Sequence, residues 1–394
     1  MLTPSVQGYL TRSSWIRRMF EAGLELKRRF GADAVQDLSL GNPDLPPPAA
    51  VGEALHALAQ EATQPLAFGY MSNAGYPELR AALAQTVAQE QGVAVEARHI
   101  VVTCGAAGAI NVVLRAVIEP GDEVLTIAPY FVEYGFYAEN FGGRLVPVPA
   151  ARPHFGLDLT AITQAITPRT RALILNSPNN PTGTVYSAQE LAALANVLQE
   201  GRRHTNRPIL LIADEPYRFL TYDGTVVPSV MQIYPYSVVV SSFSKSLALA
   251  GERVGYIAAH PQLPDAFVDA LVLANRILGF VNAPAIGQRL VLKTLGQQVD
   301  TAPYVRRRAA MMRILDAAAI AYTPPQGAFY FFPEAPGGDD VAFVQMLYEE
   351  RILAVPGRGF GLPGYFRLAF CVDEEVIQRA GPGLARAAQR ARGR

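Results

Sequence analysis

Val238-Val239-Val240-Ser241-Ser242-Phe243-Ser244-Lys245 changes character half-way along. Three β-branched residues in a row predict a strand buried on both faces, as in a parallel sheet. The serines then turn that strand out into a small polar loop, and the loop carries a lysine. The chain has three lysines among its 34 basic residues; the rest are arginines. Arginine holds its proton, whereas a lysine in suitable surroundings can lose it and act as an amine nucleophile. Eight residues on, in Gly251-Glu252-Arg253-Val254-Gly255, stands Arg253. A reactive amine, hydroxyls and a fixed guanidinium together suit an aldehyde that carries a phosphate.

Working outward, other short apolar runs also end in polar groups. Ile100–Thr103 leads into Cys104-Gly105-Ala106-Ala107-Gly108 and then a helical stretch to Ile118. Small residues at a helix start let backbone N–H groups approach an anion. An ordinary tight turn would look the same. Ala172–Leu175 is followed by Asn176-Ser177-Pro178-Asn179-Asn180-Pro181-Thr182-Gly183, a stiff loop presenting Asn180. Ile209–Ala213 is followed at once by Asp214-Glu215-Pro216-Tyr217, although a helix cap would account for Asp214 alone. In open α/β sheets, ligands collect at the carboxyl ends of the strands. Four such ends in succession predict one site.

Between the strands lie helical patterns: Val51–Gln60, Pro77–Gln91, and a helix opened by the capping box Ser187-Ala188-Gln189-Glu190. The alternation predicts parallel βαβ units with both sheet faces covered. Leu45-Pro46-Pro47-Pro48 marks a hinge, because consecutive prolines continue neither a helix nor a central strand. From about Leu292 the texture shifts to Arg/Ala-rich helices around strands at Gly327–Phe332 and Phe366–Phe370. The expected division is an N-terminal arm (1–46), a large domain (47–291) and a small α+β domain (292–394) that the arm completes.

Half of the 394 residues are apolar, enough for a large core. Acidic and basic residues number 34 each, so no net charge favours nucleic acid or an anionic membrane. Two cysteines, Cys104 and Cys371, make no disulfide framework, and five scattered histidines show no metal-ligand spacing. The stretch from Ser13 to Phe30 reads as an amphipathic helix rather than a signal peptide, and no apolar run is long enough to span a bilayer. A cytoplasmic protein is the expectation.

In order along the chain, these motifs resemble the aspartate aminotransferase superfamily, fold-type I enzymes that use pyridoxal 5′-phosphate (PLP), and specifically the class I/II aminotransferases. Gly41-Asn42-Pro43-Asp44, Tyr70 with Gly75-Tyr76-Pro77-Glu78-Leu79-Arg80, the Asn180 loop, Asp214-Glu215-Pro216-Tyr217 and Ser242-Phe243-Ser244-Lys245 with Arg253 all match. Gln326-Gly327-Ala328-Phe329-Tyr330 and Phe366-Arg367-Leu368 complete the set. The resemblance implies a mostly parallel seven-stranded sheet in a large PLP-binding domain and a smaller α+β domain from both chain ends.

It also implies roles. Lys245 would bond the cofactor aldehyde and later carry the transferred proton, and Asp214 would pair with the pyridine nitrogen. Asn180 and Tyr217 would hold the ring's 3-oxygen. The backbone around Gly105, Ala106 and Ala107, with Ser242, Arg253 and a second subunit's Tyr70, would hold the phosphate. Phe131 would stack on the ring, unless it is plain core packing. Arg367, Gly41 and Asn180 would take the substrate α-carboxylate. The implied partners are an L-amino acid, a 2-oxo acid such as 2-oxoglutarate, and a second copy of the chain in a homodimer with shared sites. Members specific for dicarboxylates carry an arginine five residues before an Asn-Pro turn. Here Ile277 holds that register before Asn282-Ala283-Pro284, with Arg276 beside it.

Ser242-x-x-Lys245 also fits the S-x-x-K of serine β-lactamases and penicillin-binding proteins, but the K-T-G those enzymes need is missing; Lys293-Thr294-Leu295 is the nearest approach. PLP-binding transcription regulators would need a basic helix-turn-helix that 45 residues before the triple proline cannot supply. Carbon–sulfur β-lyases share the lysine but typically diverge at the Asn-Pro-Thr-Gly loop and the tyrosine after Asp214. Both are intact here, which favours transamination.

Overall fold

Seven short strands form the central sheet: β1 (Ile100–Cys104), β2 (Glu123–Ala128), β3 (Arg144–Pro149), β4 (Thr170–Asn176), β5 (Leu210–Asp214), β6 (Ser237–Ser242) and β7 (Val254–Ala259). They are seen in a computed structural model, which describes residues 2–11 and 15–393. Their order across the sheet is β1-β7-β6-β5-β4-β2-β3. All the central strands are apolar and almost wholly buried, because helices cover both faces. The strand β3 is the exception. It lies at the edge, half open to solvent, and carries Pro147 and Pro149, which an edge tolerates. That composition hid it from a reading based on apolar runs.

The sheet is parallel except at β7, which runs antiparallel to both β1 and β6. Register places Val254 opposite Cys104, and Gly255 opposite both Thr103 and Ser242. The start of β7 therefore lies at the same edge as the carboxyl ends of β1, β4, β5 and β6. Arg253, immediately before β7, reaches that edge by the reversal.

Gly255 is where the sheet meets the helix Gly105–Val117. A Cβ there would stand 2.6 Å from the Gly105 carbonyl carbon and 2.8 Å from the Ala106 nitrogen. Only a glycine lets the helix start rest on the strand. Other helices begin and end on local signals. Pro77–Gln91 opens on its proline and closes at Gly92 with φ 61°, and Ala188–Thr205 opens on the predicted Ser187/Glu190 capping box.

A second core gathers Phe329, Phe331, Phe343, Phe366 and Phe370 under the helices Ala302–Ala317, Asp340–Glu349 and Glu374–Arg392. The arm joins it by pairing Gln36 with Ile352 and Asp37 with Leu353 in parallel. Of the strand expected over 327–332, only Tyr330–Phe331 forms. Gly327 instead bridges to Thr221, and Ala328, at φ 58°, donates its N–H to the Leu220 carbonyl. This segment is held by the large sheet's loops, so it cannot run straight. The amphipathic helix near the N-terminus spans Trp15–Phe30; Ser13, where it was expected to begin, lies outside the described residues. Among the described residues no helix is long and apolar enough to cross a membrane.

Candidate active site

A cavity of about 300 Å³ opens at the carboxyl edge of the sheet. Its lining brings together Gly41, Ala106, Ala107, Phe131, Asn180, Asp214, Tyr217, Ser242, Lys245, Arg253 and Arg367. Gly105 lies just behind, buried at φ 71°, and a Cβ on it would stand 2.6 Å from Arg253 Nη2. The helix N-terminus, Ser242 and the Arg253 guanidinium thus converge on one end of the cavity. Backbone N–H groups and a guanidinium there make an anion site.

Lys245 follows β6 in a single helical turn, Phe243–Ser246. Its Nζ donates to the Gly41 carbonyl at 2.6 Å and sits 5.6 Å from the Phe329 ring centroid. Burial lowers its ammonium to about 8, with Arg367 and Arg253 pushing the same way. Near neutrality a useful fraction is therefore free amine. Among the described residues no anionic side chain pairs with it.

Asp214 ends β5 and is buried. The Tyr134 hydroxyl donates to its Oδ2, while Oδ1 has no hydrogen-bond partner among the described residues. Burial pushes its carboxyl up to about 6, and the Tyr134 bond opposes that rise. A buried carboxylate oxygen without a donor normally costs about 1–3 kcal/mol or more. Its position in the wall marks it as the place for a cationic or N–H group of a ligand.

Arg367, on the strand Phe366–Ala369, is buried between the Tyr330 and Phe360 rings, its Cζ 4.7 and 4.8 Å from their centroids. Its Nη1 donates to Asn180 Oδ1 at 3.0 Å and its Nη2 to the Ser39 carbonyl at 2.5 Å, while Nε has no partner among the described residues. Asn180 is held in turn by Asn176, whose Oδ1 accepts the Asn180 N–H and whose Nδ2 donates to the Asp214 carbonyl. The loop carrying Gly41 is pinned further on by Arg307, which forks onto both Asp44 oxygens at 2.7 Å.

Tyr134, Tyr137 and Tyr330 also line the cavity and were missed in sequence. A hydroxyl three residues after Phe131, on the short helix Glu133–Glu139, was a signal only once that helix was known to face Asp214. Two expected residues are not brought in by this chain. Tyr70 is 96% exposed, beside Phe68, Met71 and Phe280 in a separate surface depression. Arg276 is exposed near the end of the helix Asp265–Ile277 and does not line the cavity. Among the described residues no group of three or more His, Cys, Asp or Glu side chains could hold a metal ion.

The family model for aminotransferase class I and II matches residues 34–381. The chain belongs to the class I and II aminotransferases. Members of this family depend on PLP, and the chain is a PLP-dependent aminotransferase. Its relatives include the aspartate/prephenate aminotransferase of Thermus thermophilus, 34% identical over 93% of this chain and 94% of that protein. An amino transferase from Eubacterium rectale has a solved structure that superposes with a TM-score of 0.94, at 37% identity over 99% of both chains. Aspartate aminotransferase from Thermus thermophilus, solved with maleate, superposes at 0.87, with 31% identity over 98% of this chain and 99% of that one. These relatives are aminotransferases, which favours transamination over the carbon–sulfur lyase alternative.

Proposed function

We propose that this aminotransferase holds PLP in the cavity between Lys245, Asp214 and Arg253, and passes an amino group from an L-amino acid to a 2-oxo acid such as 2-oxoglutarate. The observation that carries this reading is the buried Oδ1 of Asp214, without a hydrogen-bond partner among the described residues, in the same cavity as the Lys245 amine. A pyridinium N–H is the donor that oxygen lacks. At the far end, the helix start at Gly105–Ala107, Ser242 and Arg253 suit a phosphate, and Phe131 in the wall offers a ring for stacking. When bound, the cofactor supplies an aldehyde and an electron sink for the substrate Cα.

The chain's own groups do the rest. Lys245 would hold the cofactor through its aldehyde, and its amine would carry the proton at the substrate Cα. Asp214 would face the ring nitrogen and favour its protonated form. Asn180 and Tyr217 hold the ring oxygen. Arg367, with Asn180 and the Gly41 backbone, orients the α-carboxylate; its unpartnered Nε is a donor in reserve.

Relatives named for aspartate support an acidic donor. Among the described residues the cations in this cavity are Lys245, Arg253 and Arg367, all assigned above. A second carboxylate would need another, and Arg276 reaching across from a neighbouring subunit is the candidate. A homodimer with shared sites is part of the same reading, supported by the exposure of Tyr70 and Phe68.

The test is the half-reaction of PLP-loaded protein with L-aspartate, then other donors. A 2-oxo acid plus the aminated cofactor supports the proposal. Ammonia and pyruvate from an S-substituted cysteine, without transfer to 2-oxoglutarate, would overturn it.

A further inference from the structure

The Tyr217 and Tyr330 hydroxyls lie 2.8 Å apart, and both rings are buried. Each hydroxyl can donate one proton and accept others. Among the described residues neither has another hydrogen-bond partner, so the pair shares one bond and one of the two protons is left without an acceptor there. A ligand oxygen supplies that acceptor. The proposed function points the Tyr217 proton at the cofactor's 3-oxygen, and the bond between the tyrosines must then run from Tyr330 to Tyr217.

The Tyr330 ring has a second neighbour of consequence. It lies 4.7 Å from the Arg367 guanidinium carbon, on the strand Tyr330–Phe331 that pairs with Arg367's own strand through Ala369 and Leu368. Gly41 completes the packing: a Cβ there would collide with the Tyr330 hydroxyl. One side chain thus touches the carboxylate site, the loop over Lys245 and the tyrosine of the ring oxygen. The Arg367 charge also makes the Tyr330 hydroxyl a better donor than burial alone would leave it.

We propose that Tyr330 is a positioning residue: its hydroxyl donates to Tyr217, freeing the Tyr217 proton for the ring oxygen, and its ring ties that bond to the occupancy of Arg367. This rests on the PLP reading above. Hydrogen bonds in a buried chain strengthen one another, so Tyr217 becomes a stronger donor when Tyr330 donates to it. A bound carboxylate offsets the Arg367 charge, weakens the Tyr330 donor and relaxes the grip on the ring oxygen.

The experiment titrates the visible absorption of the PLP-loaded protein against pH, with and without saturating 3-phenylpropionate, a carboxylate with no amino group to transfer. Loss of the Tyr330 hydroxyl in Tyr330→Phe should raise the midpoint by about 0.5–1 pH unit. The carboxylate-induced shift should shrink in the same variant. Tyr222→Phe loses another buried hydroxyl, one bonded to the Ala328 carbonyl at 2.7 Å, and should titrate like wild type. Adding Tyr330→Phe to Tyr217→Phe should move the midpoint no further. A Tyr330→Phe midpoint matching wild type, or an undiminished shift in the Tyr217→Phe background, overturns the relay alone. Wild-type protein that develops no visible absorption with PLP overturns the cofactor reading and the relay with it.

Discussion

Tyr134 donates its hydroxyl to one oxygen of Asp214, and the other oxygen is left bare in the wall of the cavity. The tyrosine thereby fixes the carboxylate's rotamer and aims its free oxygen. Its hydrogen bond also opposes the desolvation of the buried acid.

Asp214→Asn separates this electrostatic role from shape. The raised value near 6 means that the cofactor-free native state binds a proton between about pH 4 and 6 that the unfolded chain does not. The unfolded state then binds fewer protons, so Asp214's contribution to stability falls as pH rises through that window. Cofactor-free Asp214→Asn should therefore be more stable than wild type at pH 7, with the difference closing below pH 4 in urea titrations. In the loaded enzyme the same change should slow the half-reaction by several decades. A loss below about tenfold, ~1.4 kcal/mol, would mean that another residue faces the ring nitrogen.

Lys245 gives a kinetic counterpart. With its ammonium lowered to about 8, the free amine grows as pH rises and saturates above that value. Covalent capture of PLP by the cofactor-free protein should accelerate about tenfold per pH unit below the midpoint and level off above it, followed by stopped-flow absorbance. Lys245→Arg should show no capture at any pH, because a guanidinium forms no imine. A rate that is flat from pH 6.5 to 9 would show that the amine is already free at neutrality.

Much of this site was legible in the chain because its groups stand one to five residues beyond apolar runs. Asp214 ends a core strand and Asn180 and Lys245 follow one, and burial of those strands places all three at one edge. Arg253 was legible as a residue but not as a position, since β7 reverses direction and its apolar run follows the arginine. Tyr134 and Tyr330 were not legible as site residues. Their roles depend on a turn and on a strand pairing, and aromatic residues in apolar segments read equally well as core.

Tyr70 tests whether two subunits share a site. At 96% exposure it has little to do within its own chain, yet it sits beside exposed Phe68. Tyr70→Phe should weaken PLP retention by about 0.5–3 kcal/mol, the range for one hydrogen bond to a buried or charged partner; equilibrium dialysis reads this directly. Mixing Tyr70→Ala with Lys245→Ala protomers should restore activity, because a hybrid dimer contains one site with both native residues. No recovery from hybrids shown to form by sedimentation would place Tyr70 outside the partner's site.

Arg276 is the test of substrate class. It is exposed, outside its own cavity, and one residue away from the register that Ile277 holds, itself 53% exposed. If it reaches a neighbour's cavity, its fork would meet the distal carboxylate of aspartate or glutamate, and a site built on such a pair discriminates strongly against donors that lack the charge. Arg276→Ala should then lower kcat/KM for acidic donors by at least tenfold and spare neutral ones, measured across a panel of amino acids with 2-oxoglutarate. An equal effect on every donor would make Arg276 a structural contact. Ile277 would then be the group presented at that register, and an apolar side chain there favours neutral donors.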